Sequence, residues 1–364
     1  MGSLLPISAC ILTKDEEDLI AETIRSVTPY VREVIVLDTG SQDNTVHIAR
    51  TCGAKVFETE WLDDFAAARN HLLGLAQEEY IFMIDADERY QGKGEDLKRY
   101  IQAKHRMPGR IKIINELDQG ENSVSYITRL IPNNGQYSYR GSIHEQLYCS
   151  DESVSGMDTE ITVLHEGYKK SILEKKKKTD RNLRLLMKQL NDYPQDPYVL
   201  FQIGKTLYVA KDYSQANEYL AASYHLLMNE EAYDYTFTPN VVLQYCYCLL
   251  KEKKWLELRN ILGKALEKYP NYTDLYFIQA SSIIESGNVQ EFHSIPNIYY
   301  SCLELGEVRS GTYETVAGVG SYRALYNLGI YFEITGQIER AKEYYAASAK
   351  QGFIQATKRL EILD

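Results

Sequence analysis

The stretch Ile81-Phe82-Met83-Ile84-Asp85-Ala86-Asp87 runs four apolar residues straight into two carboxylates. An apolar run of this length, bounded by polar residues, reads as a strand buried on both faces of a parallel sheet. The aspartates then stand at its carboxyl end. Upstream the pattern repeats: Ile7–Leu12 ends in Thr13-Lys14-Asp15, Glu33–Leu37 ends in Asp38-Thr39-Gly40-Ser41, and Lys55–Phe57 is a shorter run. Between these runs Leu19–Ser26, Thr45–Cys52 and Phe65–Leu75 carry helical spacing, with Asp43 or Asn44 placed to cap the second helix. The alternation from Pro6 to about Leu130 predicts an α/β domain with a mostly parallel sheet. Open parallel sheets bind ligands beyond the carboxyl ends of their strands, so the three polar clusters should line one crevice.

From about Ser171 the pattern is helical throughout, opening with the basic run Lys175–Lys178 on an exposed helical face. A 34-residue helical repeat can be tested by phase. With Gly204 at repeat position 8, Leu200, Ile203, Leu207, Ala216 and Leu220 fall at positions 4, 7, 11, 20 and 24, where tetratricopeptide units take large, large, large, small and large residues. Pro270 at position 32 puts Ala265, Leu262 and Leu249 at 27, 24 and 11. Gly329 at position 8 puts Leu325, Leu328, Phe332, Ala341 and Tyr345 at 4, 7, 11, 20 and 24. Three imperfect units follow, with Tyr272–Phe292 as a degenerate fourth. The expected organisation is an α/β domain over residues 1–170, a helical linker over 171–194 and an all-α tetratricopeptide-like domain over 195–364. Such stacks leave a concave face for a partner, often a polypeptide; a homodimer or scaffolding surface is the alternative use.

Composition excludes several classes. Forty basic against 51 acidic side chains give a net charge of −11, a surface that repels phosphate backbones, so nucleic acid is not an expected partner. The six cysteines are scattered, and Cys246-x-Cys248 has no second pair or nearby His at zinc-ligand spacing, which fits a reducing, cytoplasmic compartment. No apolar run approaches the roughly 20 residues that span a bilayer, and the first residues lack a basic segment followed by an apolar stretch. Gly2 suggests myristoylation, but Pro6 stands where that motif takes Ser or Thr. The expectation is a soluble protein with no membrane span. Neither a phosphate-binding Gly-rich loop nor a nucleophile elbow is present, against kinase and serine-hydrolase chemistry.

The remaining polar residues suggest binding chemistry. Asp85 and Asp87 occupy alternate positions, so one can aim at a sugar-nucleotide and the other at a hard cation. Asp38, at the end of a buried strand, can accept the imide N–H of uracil or cap a helix. Ala66-Ala67-Ala68-Arg69-Asn70 sets a fixed cation on a small-residue helix, where a base or diphosphate could approach; the alternative for Arg69 is an ion pair with Asp63, Asp64 or Asp85.

Four motifs in register, Ile11-Leu12-Thr13-Lys14-Asp15-Glu16-Glu17, Val36-Leu37-Asp38-Thr39-Gly40-Ser41-Gln42-Asp43, Trp61-Leu62-Asp63-Asp64-Phe65-Ala66-Ala67-Ala68-Arg69-Asn70 and Ile84-Asp85-Ala86-Asp87-Glu88, resemble family 2 glycosyltransferases of the GT-A fold over roughly residues 5–170. The resemblance implies a UDP-sugar donor, UDP-glucose or UDP-N-acetylglucosamine being favoured, a divalent cation (Mn2+ or Mg2+), and inversion at the anomeric carbon by direct displacement with a general base. Thr13, Asp38, Arg69, Asp85, Ala86 and Asp87 are the implied nucleotide-sugar contacts.

Downstream, Arg129-Leu130-Ile131-Pro132, Tyr139-Arg140-Gly141-Ser142-Ile143-His144-Glu145-Gln146 and Val163-Leu164-His165-Glu166-Gly167-Tyr168 resemble the acceptor-side and metal-side motifs of the same subgroup. On that basis Glu145 is the implied base, with His144 as the alternative base or an acceptor-orienting residue. His165 is the implied partner of Asp87 in the metal shell, imidazole suiting manganese better than magnesium. A buried structural histidine is the plain alternative for either imidazole. Relatives often have Arg-Leu-Phe-Arg where this chain has Arg129-Leu130-Ile131-Pro132; the second Arg is missing, and Arg140 is the candidate substitute.

A GT-A domain followed by a tetratricopeptide-like tail resembles the peptide-directed members of the group, including the S-glycosyltransferases that modify bacteriocin peptides. The resemblance implies a peptide or protein acceptor, modified at Cys or Ser and held by the helical repeats, which would raise its concentration near the active site. The same arrangement occurs in enzymes that modify cell-surface polysaccharide or flagellin. A catalytically decayed scaffold is the remaining reading, and intact Asp85, Asp87, Glu145 and His165 stand against it.

Overall fold

Leu5–Thr13 (β1), Val31–Asp38 (β2), Lys55–Glu58 (β3) and Tyr80–Asp85 (β4) pair in parallel in the order β3-β2-β1-β4. The computed structural model describes residues 3–103, 107–116, 122–165, 172–229, 235–308 and 313–363. They belong to two compact units, residues 1–192 and 193–364. In the first unit Glu88–Tyr90 (β5), Gly109–Glu116 (β6), Asn122–Pro132 (β7) and a strand over Met157–His165 (β11) extend the sheet to eight strands, ordered β3-β2-β1-β4-β7-β6-β11-β5. The extension is mixed. β7 runs antiparallel to β4 and β6, β11 lies parallel to β6, and β5 closes the edge antiparallel to β11. A separate antiparallel sheet holds Tyr137–Arg140 (β8), Gln146–Cys149 (β9) and Glu152–Ser153 (β10).

The central strands are apolar on both of their faces over most of their length because both faces of the sheet are covered. Ile7, Ala9 and Ile11 of β1 pack with Ile20 and Ile24 of Ile20–Val27 (α1), Ala49 of Thr45–Thr51 (α2) and Leu97 of Gly94–Gln102 (α4). Cys10 and Leu12 point the other way, against Ala66, Ala68 and Leu72 of Phe65–Leu75 (α3). Helix α3 starts where Asp64 accepts the Ala67 N–H at 2.9 Å, a side-chain cap that satisfies one of the first-turn donors. At α2 the capping position is Asn44, yet the side chain that bonds is Asp43, which takes the Thr45 N–H and hydroxyl. Ile172–Asp192 (α5) belongs to the first unit, where Arg184 forms a paired contact with Asp63 at 2.7 and 2.9 Å.

The second unit is helical. Pro197–Val209 (α6), Tyr213–Asn229 (α7), Thr238–Lys251 (α8), Trp255–Lys268 (α9), Thr273–Ser286 (α10), Ile295–Leu305 (α11), Tyr322–Ile334 (α12), Ile338–Lys350 (α13) and Ile354–Leu363 (α14) each pack on the next in sequence. The repeat phase matches burial: Ile203, Ala216, Leu220, Leu249, Leu328, Ala341 and Tyr345 are buried, while Leu325 is half-buried. Position 8 is glycine for a steric reason. A Cβ on Gly204 would lie 2.6 Å from Leu220 Cγ, and one on Gly329 2.5 Å from the Tyr345 ring, so α6 and α12 meet their partner helices only without a side chain there. The stretch read as a degenerate unit, Tyr272–Phe292, holds one helix, α10, whose partner α11 lies beyond the end of that stretch. Among the described residues no helix is long and apolar enough to cross a membrane.

Candidate active site

Sheet register brings the strand ends level. Thr13 pairs with Asp38 across β1 and β2, and Leu12 pairs with Asp85 across β1 and β4. The loops beyond them are stitched together: the Asp15 N–H donates to Ser41 Oγ at 2.8 Å, the Gln42 N–H to Asp15 Oδ1 at 2.7 Å, and the Glu17 N–H to Asp43 Oδ2 at 3.1 Å. Asp38 is buried and accepts from the Gly40 and Ser41 amides at 2.9 Å and from the Ser41 hydroxyl at 2.5 Å. Its carboxylate therefore shapes its own turn. Ala86 is buried, and its carbonyl accepts the Thr23 hydroxyl at 2.7 Å.

Asp85 is the centre of a charge network. Arg69 Nη2 donates to it at 2.8 Å and Arg129 Nη2 at 2.7 Å, from side chains only 5% and 7% exposed. Burial alone would raise this carboxyl, but the two guanidinium groups outweigh it and hold it far below the usual carboxylate range. Arg69 also donates its Nε–H to Glu145, so one side chain joins the end of β4 to the loop between β8 and β9. That loop is fixed to α3 by further bonds. Asn70 exchanges two hydrogen bonds with the Tyr139 main chain at 2.7 and 2.9 Å, and the Phe65 N–H donates to the Ser142 carbonyl at 2.9 Å. His144, next to Glu145, is exposed and takes a left-handed φ of 52°. Three buried polar atoms here, Thr13 Oγ1, Arg69 Nη1 and Tyr139 Oη, have no hydrogen-bond partner. Such atoms are costly unless something fills them.

A second pair forms across the sheet edge. His165 Nε2 lies 3.1 Å from Asp87 Oδ2, and His165 Nδ1 lies 2.8 Å from Asn115 Oδ1. When Nδ1 donates to Asn115, Nε2 presents its lone pair toward the Asp87 side, the orientation a metal-binding imidazole needs. Two octahedral ligands about 2.1 Å from a shared cation and at right angles lie about 3 Å apart, so this pair fits one edge of such a shell. Among the described residues no group of three or more His, Cys, Asp or Glu side chains is arranged to hold a metal. A cation held by Asp87 and His165 would need its remaining donors from a bound ligand or water.

The sequence reading missed three contributors. Arg129 lies in the Arg129-Leu130-Ile131-Pro132 motif, but its pairing with Asp85 depends on β7 lying beside β4. Glu88 is buried and accepts the Asp85 N–H at 2.8 Å; burial first, then the charge of Asp85, push its carboxyl up to about 7. Asn115 gives no local signal and meets His165 only through the β6–β11 register. Arg140, the candidate substitute cation, bonds instead to the Ser150 carbonyl at 2.6 Å and Asp151 at 2.8 Å.

Residues 8–167 match the family model described as Glycosyl transferase family 2. A TPR repeat-containing protein of Synechococcus elongatus is 29% identical over 231 residues, covering 60% of this chain and 56% of that protein. The SPbeta prophage-derived glycosyltransferase SunS of Bacillus subtilis is 28% identical over 293 residues, covering 78% of this chain and 68% of that one. The chain therefore spans little more than half the length of the first relative. Among solved structures, MamA aligns with a TM-score of 0.39 at 18% identity, covering 52% of this chain and 98% of that one. Glucosyl-3-phosphoglycerate synthase of Mycobacterium tuberculosis, in complex with Mn2+ and UDP, aligns at 0.26 and 24% identity, covering 30% and 43%. At these scores the fold rests on the strand order and helix pairing themselves. The family 2 glycosyltransferase match thus lies on the sheet domain and its loops, residues 8–167, and a tetratricopeptide-like helical region follows it.

Proposed function

We propose that this chain transfers a sugar from a UDP-sugar, with UDP-glucose or UDP-N-acetylglucosamine as the favoured donor, to a Cys or Ser of a peptide or protein in the cytoplasm, with inversion at the anomeric carbon. The observation that carries the reading is the Arg69 bridge between Asp85 and Glu145, which ties a candidate base to the strand ends where a nucleotide would bind. Thr13, Asp38, Asp85 and Ala86 form the donor floor. The unpartnered Thr13 hydroxyl and Arg69 Nη1 are available to oxygens of the nucleotide. Arg69 orients the Glu145 carboxylate, and His144 on the exposed side guides the acceptor.

In the reaction Glu145 takes the proton from the acceptor hydroxyl or thiol. The acceptor oxygen or sulfur forms a bond to the anomeric carbon as the bond from that carbon to the diphosphate oxygen breaks, and UDP leaves with the electron pair. Asp87 and His165 would hold Mn2+ or Mg2+, which when bound supplies positive charge against the diphosphate. The helical unit holds the acceptor polypeptide and raises its local concentration. The relation to a tetratricopeptide-containing relative and to SunS supports a domain pairing of this kind.

The test incubates the full chain with UDP-glucose or UDP-N-acetylglucosamine, MnCl2 and peptides bearing a single Cys or Ser, following UDP release and peptide mass. Mass gain on peptide with UDP release is expected. Donor turnover with transfer only to polysaccharide would redirect the acceptor, and no turnover of any donor would favour a decayed scaffold.

A further inference from the structure

In the second unit the connection between α11 and α12, residues 306–321, is far longer than the turn 335–337 that joins α12 to α13. Within it the segment Tyr313-Glu314-Thr315-Val316 is bonded by side chains of α6, α8 and α10 and by Tyr272, which immediately precedes α10. The Glu314 N–H donates to Asn240 Oδ1 of α8 at 2.8 Å, and the Glu314 carbonyl accepts the Tyr272 hydroxyl at 2.5 Å. The Val316 N–H donates to Asp274 Oδ1 of α10 at 2.9 Å, and the Thr315 hydroxyl donates to Asp274 Oδ2 at 2.7 Å. Lys205 of α6 pairs with the Glu314 carboxylate at 2.6 and 2.7 Å. The Tyr313 ring stacks on Tyr272, centroids 4.3 Å apart and planes 13° from parallel.

Asn240 of α8, Asp274 of α10 and Tyr272 just before α10 thus bond the main chain of the segment, and Lys205 of α6 pairs with its one acidic side chain. This is how a groove holds a peptide. The segment is not required to turn the chain between helices, since a three-residue turn does that one connection later. The charge pair Lys205–Glu314 lies near the surface, with side chains 35% and 46% exposed, whereas Asp274 is fully buried. The exchangeable contact is at the rim and the fixed acceptor is in the floor.

We propose that residues 313–316 are a self-ligand occupying a polypeptide-binding groove of α6, α8 and α10, and that the groove's exchange partner is an extended polypeptide with a carboxylate side chain followed by a hydroxyl residue. An intramolecular occupant at high effective concentration lowers the apparent affinity for such a partner and makes its binding conditional on release of the segment. Identifying that partner with part of the acceptor rests on the proposed peptide transfer; binding by the groove does not, so the two fail separately.

The probe is a capped, fluorescently labelled peptide of the sequence Tyr-Glu-Thr-Val-Ala, titrated into the full chain and into Glu314→Lys, which turns the rim contact with Lys205 repulsive. Glu314→Lys should bind the peptide at least about tenfold more tightly than the parent, and the Val316 amide should exchange hydrogen faster in the variant. A folded variant, by circular dichroism, that binds the peptide no better than the parent overturns the proposal. Hydrogen exchange of the parent chain at millimolar peptide gives a second reading that needs no substitution. Loss of protection at Glu314 and Val316 is expected, and unchanged protection of both amides overturns displacement. Neither measurement involves a sugar donor.

Discussion

Arg69 donates to Asp85 through Nη2 and to Glu145 through Nε, so the end of the fourth strand and the loop after the eighth share one buried cation. Removing that cation would leave Asp85 paired with Arg129 alone and take from Glu145 its contact with Arg69. The first consequence concerns the carboxylate read as the base. Glu145→Gln keeps the shape and a hydrogen-bond acceptor for Arg69 but cannot take a proton. Transfer should fall by about 100- to 10,000-fold while UDP-sugar binding, measured by calorimetry, is retained. A thiol ionises more readily than a hydroxyl, so the loss should be smaller with a Cys acceptor than with Ser. Unchanged transfer to Ser would move the base elsewhere, with His144 first.

Asp87→Ala removes one side of the Asp87–His165 edge. Donor turnover should be lost, by an amount corresponding to several kcal/mol of transition-state stabilisation, and a chelator should have the same effect on the unaltered chain. Turnover that persists in chelator would reject the cation at Asp87 and His165.

Arg129→Met keeps bulk but leaves Asp85 and Glu88 with one cation fewer. Breaking a buried ion pair by removing one partner costs about 3–5 kcal/mol. Urea unfolding of the variant should show a loss of that order, and a loss below about 1 kcal/mol would mean that Arg69 alone compensates Asp85.

Glu88 gives the fold a pH dependence with a definite sign. Its carboxyl is raised from 4.5 to about 7 by burial and by the charge of Asp85, so between those values the folded chain holds a proton that the unfolded chain has lost. The stabilisation from this group is therefore fully present below pH 4.5 and is lost as pH rises through about 7. Glu88→Gln should remove that slope. Relative to the unaltered chain it should gain on the order of 2–3 kcal/mol at pH 8 over its standing at pH 4.5, read from denaturant midpoints at the two pH values.

The glycines of the helical unit give a stability test independent of chemistry. Alanine has the higher helix propensity by roughly 1 kcal/mol, yet at Gly204 its Cβ would overlap Leu220 and at Gly329 the Tyr345 ring. Either substitution should destabilise by about 1–3 kcal/mol through overpacking in a thermal or urea melt. A gain in stability at either position would show that the helices can move apart without loss.

Much of this molecule follows from local sequence. Apolar runs covered on both faces need no alternation, so Ile7–Leu12, Glu33–Leu37 and Ile81–Ile84 announce central strands, and Asp38 and Asp85 mark their ends within a residue. Helix α3 is legible to the residue because Asp64 caps it and no glycine or proline interrupts its first turns. The repeat phase of Gly204 and Gly329 is equally local, a small residue placed where a large one, Leu220 or Tyr345, arrives from the next helix. Tertiary structure decided which charges meet. Arg69 precedes Glu145 by 76 positions and Asp87 precedes His165 by 78, and their encounters follow from an α3–β8 contact and from β5 pairing with β11. Arg129 and Asn115 are ordinary polar residues in sequence; antiparallel β7 and the β6–β11 register turn them toward Asp85 and His165. The physical reason is that strand and helix formation depend on patterns over a few residues, whereas a buried charge takes its role from the partners that remote segments bring to within 3 Å or so.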